Sequence, residues 1–205
     1  MSDSAAAAPQ RRNTPRQAVK RRDFLRLSLG AGTAGALGAF GAASLGFIWP
    51  SLGEGFGAEI TIGNAEEVLA EIRATRSPYA FPSGRLYVVQ WDPGLPGAEE
   101  AYGEDHTAIV GGVGLMALWQ KCVHLGCRVP WCLTSQWVEC PCHGSKYNRW
   151  GEWMSGPAPR GLDRFPSSID DAGNLVVNTG VTITGPSRTE RIFQQEPEGP
   201  HCIDL

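Results

Sequence analysis

Four side chains between Cys122 and His143 have the types and spacing to hold metal. Cys122-x-His124 comes first and Cys140-x-x-His143 second, with 15 residues between His124 and Cys140. Each box offers one thiolate and one imidazole. Each also carries a further cysteine, Cys127 in the first box and Cys142 in Cys140-Pro141-Cys142-His143-Gly144-Ser145-Lys146-Tyr147. Two cysteines and two histidines can close a tetrahedral zinc site. The usual zinc-finger order, however, puts both cysteines before both histidines, whereas here each box supplies one of each. The mixed order suits a pair of irons, with two thiolates on one and two neutral imidazoles on the other, a substitution that raises the reduction potential. The order therefore favours an iron–sulfur centre, with a structural zinc module as the distant alternative.

The two boxes resemble those of the Rieske iron–sulfur subunits of cytochrome bc1 and b6f complexes. The similarity continues through Gly156-Pro157-Ala158-Pro159, which looks like that family's proline-rich loop over the cluster. It is specific over residues 119–165 and general elsewhere. The resemblance implies one [2Fe–2S] cluster, with Cys122 and Cys140 on the buried iron and His124 and His143 on the outer one. It implies a Cys127–Cys142 disulfide, which would limit the splaying of two loops and which fits an oxidising compartment. Ser145 is placed to donate to a bridging sulfide and Tyr147 to the Cys122 sulfur, contacts that raise the potential. Leu125 and Pro157 would flank the cofactor. His143 is the implied quinol contact and His124 faces the same way. Oxidation of the cluster lowers the histidine pKa, so a neutral imidazole can accept a quinol proton as the electron leaves.

The function so implied is electron transfer from quinol to a c-type cytochrome, as a subunit of a membrane quinol–cytochrome c reductase that is not complete alone. Its partners would be a cytochrome b subunit and a c-type cytochrome. Two alternatives stay open: the Rieske small subunit of a molybdenum oxidoreductase of the arsenite oxidase kind, and a soluble electron carrier released by cleavage.

The elements that must position these boxes read as β-rich. Gly 26 and Pro 15 make close to a fifth of the 205 residues, which favours short strands and many turns. Apolar and β-branched runs predict strands over 59–62, 86–91, 107–110, 115–119, 137–140, 175–178 and 181–184. Asn64 with Glu67 three residues on predicts a capped helix over 65–74. The expected fold is all-β, an antiparallel sandwich or barrel-like Rieske domain over 59–184 with its cluster-binding part at about 119–165. The tail, 185–205, is polar and is expected to lie loosely on the surface.

Charge divides the chain. Residues 1–26 hold seven Lys/Arg against Asp3 and Asp23, so an acidic body follows a basic head. A nucleic-acid partner is excluded on this count, since its basic charge should line the folded domain. Residues 1–26 are expected to be a disordered basic leader ending in Arg21-Arg22-Asp23-Phe24-Leu25, which resembles a twin-arginine export signal. No charge occurs from Leu27 to Gly53, and residues 27–50 are expected to form one transmembrane helix. Residues 51–58, with a glycine at every second position from Gly53, read as a flexible hinge. These features imply a single-pass cell-membrane protein, its N-terminus cytoplasmic and its Rieske domain on the periplasmic side. Small residues at Gly41-Ala42-Ala43 leave cleavage as the rival outcome.

Several residues resist assignment. Cys132 and Cys202 match no ligand position; a bridge between them would pin the tail, but separate thiols are the simpler expectation. His106 reads as a solvated loop residue and His201 has no role. Lys121, Lys146, Arg149, Arg160 and Arg164 read as a solvated rim.

Overall fold

The computed structural model describes residues 19–48, 56–103 and 107–204, and the chain divides into two compact units, Met1–Leu52 and Gly53–Leu205. Among the described residues the first unit holds one helix, α1 (Arg21–Ile48), with Asp23 in its first turn, where a carboxylate suits the helix dipole. The expected span is thus helical as far as Ile48. No helix among the described residues is long and apolar enough to cross a membrane. The physical reason is composition: Gly30, Gly32, Gly35, Gly38, Gly41 and Gly46, with alanines between them, dilute the leucines and phenylalanines. Expectations for residues 1–18, for Trp49-Pro50, for positions 51–55 of the hinge and for His106 fall outside the described residues.

The second unit begins fastened. The Gly57 N–H donates to Thr179 Oγ1 (2.8 Å), and the Thr179 hydroxyl and N–H donate to Ala58 O (2.8 and 2.9 Å). Phe56 packs on Trp119 and Phe165, with ring centroids 5.5 and 5.9 Å away. Residues 56–58 of the expected hinge therefore belong to the folded body.

In chain order the strands are β1 (Glu59–Asn64), β2 (Tyr79–Phe81), β3 (Leu86–Trp91), β4 (Ala108–Val110), β5 (Val113–Trp119), β6 (Trp131–Cys132), β7 (Trp137–Glu139), β8 (Lys146–Tyr147), β9 (Trp153–Ser155), β10 (Arg164–Phe165), β11 (Ser167–Ile169) and β12 (Asn174–Asn178). Helix α2 (Ala65–Thr75) follows β1 and α3 (Ala98–Tyr102) follows β3. Three antiparallel sheets result: β1-β12-β11, β10-β5-β3-β2 with β4 also on β5, and β6-β7-β8-β9. The predicted cap on α2 is present, with Asn64 Oδ1 accepting from the N–H groups of Glu66 (3.0 Å) and Glu67 (3.2 Å).

β3 and β5 form the wall on which the site stands. They pair residue for residue from Leu86↔Trp119 to Trp91↔Gly114. Alternation sends Leu86, Val88, Leu115 and Ala117 to one side, against α2, Phe165, Leu175 and Val177. Tyr87, Val89, Met116 and Leu118 go to the other side, against Val129, Val138, Tyr147, Leu162 and the cysteines Cys122 and Cys140. Because successive strand residues face opposite ways, one pair of strands serves two cores.

Four expectations fail, among them the separate thiols at Cys132 and Cys202, which form a disulfide. Residues 181–184 form no strand; only Ile183 bridges to Arg164, because the segment leaves the sheet to start the tail. The tail is not loose. Cys202 is bonded to Cys132, and two fully buried carboxylates grip the tail backbone. Glu139 accepts from the N–H groups of Cys202 (2.8 Å) and Ile203 (2.9 Å), and Glu152 from those of Ile192 (2.6 Å) and Phe193 (3.2 Å). The basic rim is only partly solvated, for Lys146 and Arg164 are buried, Arg164 lying over the Tyr102 ring at 4.7 Å.

Candidate metal centre

Both boxes fold into the same loop. In each, the leading cysteine N–H donates to the residue five ahead: Cys122 to Cys127 O (2.8 Å) and Cys140 to Ser145 O (2.8 Å). In each, its carbonyl accepts from the glycine four ahead: from Gly126 (2.8 Å) and from Gly144 (3.1 Å). Gly126 and Gly144 sit at φ 86° and 72°, the left-handed region where glycine costs least. β5 delivers the first loop, while β7 delivers the second and β8 leads away from it.

This repetition puts like groups together. Cys122 and Cys140 are both buried and reduced. The His124 and His143 rings lie edge to face, 4.9 Å between centroids, His124 half-buried and His143 exposed. The remaining cysteines of the boxes, Cys127 and Cys142, are bonded to one another across the loops. Leu125 and Pro157 are exposed.

Burial pushes the Cys140 thiol pKa up, the N–H groups of Cys142 and His143 pull it down, Cys122 pushes it up again, and the net direction is upward. A metal reverses that balance, because a coordinating thiol loses its proton outright. The Tyr147 hydroxyl lies 3.2 Å from Cys122 Sγ and is buried. Its pKa is raised, chiefly by burial and then by Cys122.

The residues fit a metal cluster by an observation independent of their spacing. His124 Nδ1 is buried and has no hydrogen-bond partner among the described residues. An orphaned buried polar atom costs about 1–3 kcal/mol, a cost that coordination removes. Two sulfurs and two imidazole nitrogens are the donors of a tetrahedral zinc or an iron–sulfur site.

The proline-rich loop closes the site. Ala158 N–H donates to the buried Ser145 Oγ at 3.1 Å. A Cβ on Gly156, at φ 86°, would come within 2.5 Å of Ser145 Cα, so only glycine lets the loop seat. Sequence reasoning missed three residues here: Arg188, Glu139 and Glu152. Glu139 carried a faint signal, as an acid in the run Trp137-Val138-Glu139-Cys140; Arg188 carried none in a polar tail.

Reduced, buried thiols and paired imidazoles, on twin loops of an antiparallel β fold, make the donor set of a mixed-ligand metal protein. A family model described as "Rieske [2Fe-2S] domain" matches residues 89–166. The cytochrome b6-f complex iron-sulfur subunit of Prochlorococcus marinus is 36% identical over 160 residues, 76% of this chain and 83% of that one. The cytochrome b6-f complex iron-sulfur subunit 2 of Synechocystis is 34% identical over 161 residues, 78% and 84% of the two chains. A chain of the solved hyperthermophilic respiratory Complex III is 26% identical, covering 72% of this chain and 98% of that one, with a TM-score of 0.37. This chain belongs to the Rieske iron–sulfur subunits of the cytochrome bc1/b6-f type, and its cofactor is a [2Fe–2S] cluster.

Proposed function

We propose that Cys122, His124, Cys140 and His143 hold the cluster, and that the chain passes electrons from quinol to a c-type cytochrome within a quinol–cytochrome oxidoreductase. One observation carries the reading: of the four cysteines in the boxes, two are spent on a disulfide and the two left reduced lie buried, while His124 Nδ1 is buried without a hydrogen-bond partner among the described residues. The cluster, when bound, supplies a one-electron acceptor. The chain's own residues do the rest. His143, exposed at the tip, accepts a hydrogen bond from the quinol hydroxyl and takes its proton, while His124 completes the face. Leu125, 71% exposed, and Pro157 form an apolar rim that seats against a cytochrome b subunit and keeps water from the donor. Tyr147 donates to Cys122 and Ser145 toward the cluster, both favouring the reduced state.

The anchor belongs to the same proposal. Arg21 and Arg22 open α1, so the helix reads as a twin-arginine signal retained in the membrane, with the globular unit on the periplasmic side. The glycines of α1 would let a partner's helix approach closely and offset its modest apolarity. Mass spectrometry of the mature N-terminus together with membrane fractionation tests this part; a soluble product beginning beyond residue 43 would overturn it.

The site itself is tested by metal and acid-labile sulfide analysis and by EPR of the reduced protein. Iron and sulfide in equal amounts are expected, with a spectrum that changes when His124 or His143 is replaced by Cys. Zinc without sulfide would remove the reading.

A further inference from the structure

We infer that Arg188, in the tail, is a positioning residue that sets the hydrogen-bond strength of Ser145 through a single peptide unit of the proline-rich loop. The inference rests on the reading that the cluster sits between the boxes beside Ser145.

Arg188 reaches back across 30 residues. Its Nε and Nη2 donate to Ala158 O at 2.8 and 2.5 Å, and Nη2 also donates to Pro157 O at 3.1 Å and to Gly156 O at 3.5 Å. The guanidinium lies over the Trp153 ring, 4.4 Å from Cζ to the centroid, and Trp153 Nε1 donates to Gly156 O at 3.2 Å. A planar fork meets several carbonyls at once; a lysine ammonium is a point charge and does not.

The connectivity of these bonds matters more than their number. Pro157 O and Ala158 N–H belong to one peptide group. At its carbonyl end that group accepts from Arg188; at its N–H end it donates to Ser145 Oγ, 3.1 Å away. A cation on the carbonyl draws electron density toward oxygen and strengthens the N–H as a donor. A hydroxyl that accepts a stronger bond donates its own proton more strongly, because linked hydrogen bonds polarise one another. The residues on either side of Ala158 cannot substitute, because Pro157 and Pro159 have no N–H. Ser145 is fully buried, so water does not compete for its oxygen. The chain of polarisation therefore runs from the Arg188 guanidinium, through the Pro157–Ala158 peptide, to the Ser145 hydroxyl. A stronger donor at that point favours the reduced cofactor.

The test is a double-mutant cycle on the full-length, cluster-loaded protein, read as midpoint potential by redox titration, with iron content and EPR confirming equal loading. Ser145→Ala is expected to lower the potential. Arg188→Met should shift the redox equilibrium about threefold to tenfold toward the oxidised form, the range one modest hydrogen bond commands; tenfold is about 59 mV for one electron. In the Ser145→Ala background the Arg188→Met change should have no further effect. Arg188→Lys, which keeps the charge and loses the fork, should recover less than half of the shift. Equal shifts in both backgrounds, or full recovery by lysine, would show through-space charge alone and overturn the inference, as would no shift at all. Amide exchange at Ala158 reports whether the loop stays seated; if Arg188→Met unseats it, Arg188→Gln is run in the same cycle. An unaltered potential in Ser145→Ala alone would instead remove the underlying Ser145 reading, and the absence of a Rieske-type EPR signal in the parent protein would remove the function.

Discussion

The two sides of the β3–β5 wall are built on different principles. On the base side, α2, β1 and β12 pack Val68, Leu69, Ile72, Leu175 and Val177 against Leu86, Val88, Leu115 and Phe165, and burial of apolar surface accounts for the assembly. On the cluster side the strands are two or three residues long. They are held by two disulfides and by the fully buried Glu139 and Glu152. Glu152 alone accepts from the Tyr102 hydroxyl (3.0 Å), Asn148 Nδ2 (2.6 Å) and the tail backbone. The difference teaches what a redox site asks of its support. Two loops must hold four donors in one geometry, and a network of directed bonds specifies a position where an apolar core specifies mainly an area.

Breaking the base should cost most and spread furthest. Leu115→Ala removes a fully buried side chain from β5, where that strand pairs with both β3 and β4, and should destabilise the domain by about 2–5 kcal/mol. Denaturant titration should show the cluster's visible absorbance and the far-UV signal lost in one transition, since β5 leads directly into the first box. Separate transitions would mean that the two sides are not mechanically joined by this wall.

Cutting the tail's disulfide should act on one side only. Cys202→Ser opens a bridge of sequence separation 70, worth about 2–4 kcal/mol. Hydrogen exchange should rise over residues 188–204 and in β6 and β7, while amides of β1 and β12 keep their protection. Uniform loss of protection would refute the division drawn above. Glu152→Gln sharpens the same point at about 1–3 kcal/mol: the N–H groups of Ile192 and Phe193 and the Tyr102 hydroxyl would each face a weaker acceptor, so exchange at 192 and 193 should quicken before that at 202 and 203.

The contrast also explains what could be read in the sequence. β3 was legible to the residue, at Leu86–Trp91, because five of its six residues form an apolar, β-branched and aromatic run bounded by turn residues. The capped helix α2 and most of β5 were legible for the same reason. The donors Cys122, His124, Cys140 and His143 stood out by type and order. Strands β6, β8 and β9 were not legible, since two or three residues carry no period. The Cys132–Cys202 bond spans a separation that sequence cannot resolve. Glu139 and Glu152 received no role, because nothing local announces that N–H groups from a tail some 40 to 60 residues away will reach them. Apolar packing announces itself by repetition; directed polar fastening is visible only after the chain is folded.

The smallest expected effect lies on the base, at a carboxylate staple on the surface. Asp170 accepts from the N–H groups of Ala172 (2.9 Å) and Asn174 (2.8 Å) and from Asn174 Nδ2 (3.0 Å), closing the turn between β11 and β12. The backbone and side-chain donors of Asn174 hold its carboxyl below the usual 3.8, with burial opposing only weakly. The sign follows from linkage: a carboxylate with a depressed folded pKa stabilises the fold fully above its unfolded value and loses that contribution as pH falls through the folded one. The turn should therefore loosen only in acid below about pH 4, and Asp170→Asn should abolish that dependence by removing, already at neutral pH, the small contribution that acid removes from the parent. Amide exchange at Asn174 against pH measures it directly. An acid response as large as that of Glu152→Gln would mean that an exposed staple does the work of a buried one, and the physical distinction between the two sides of the wall would fall.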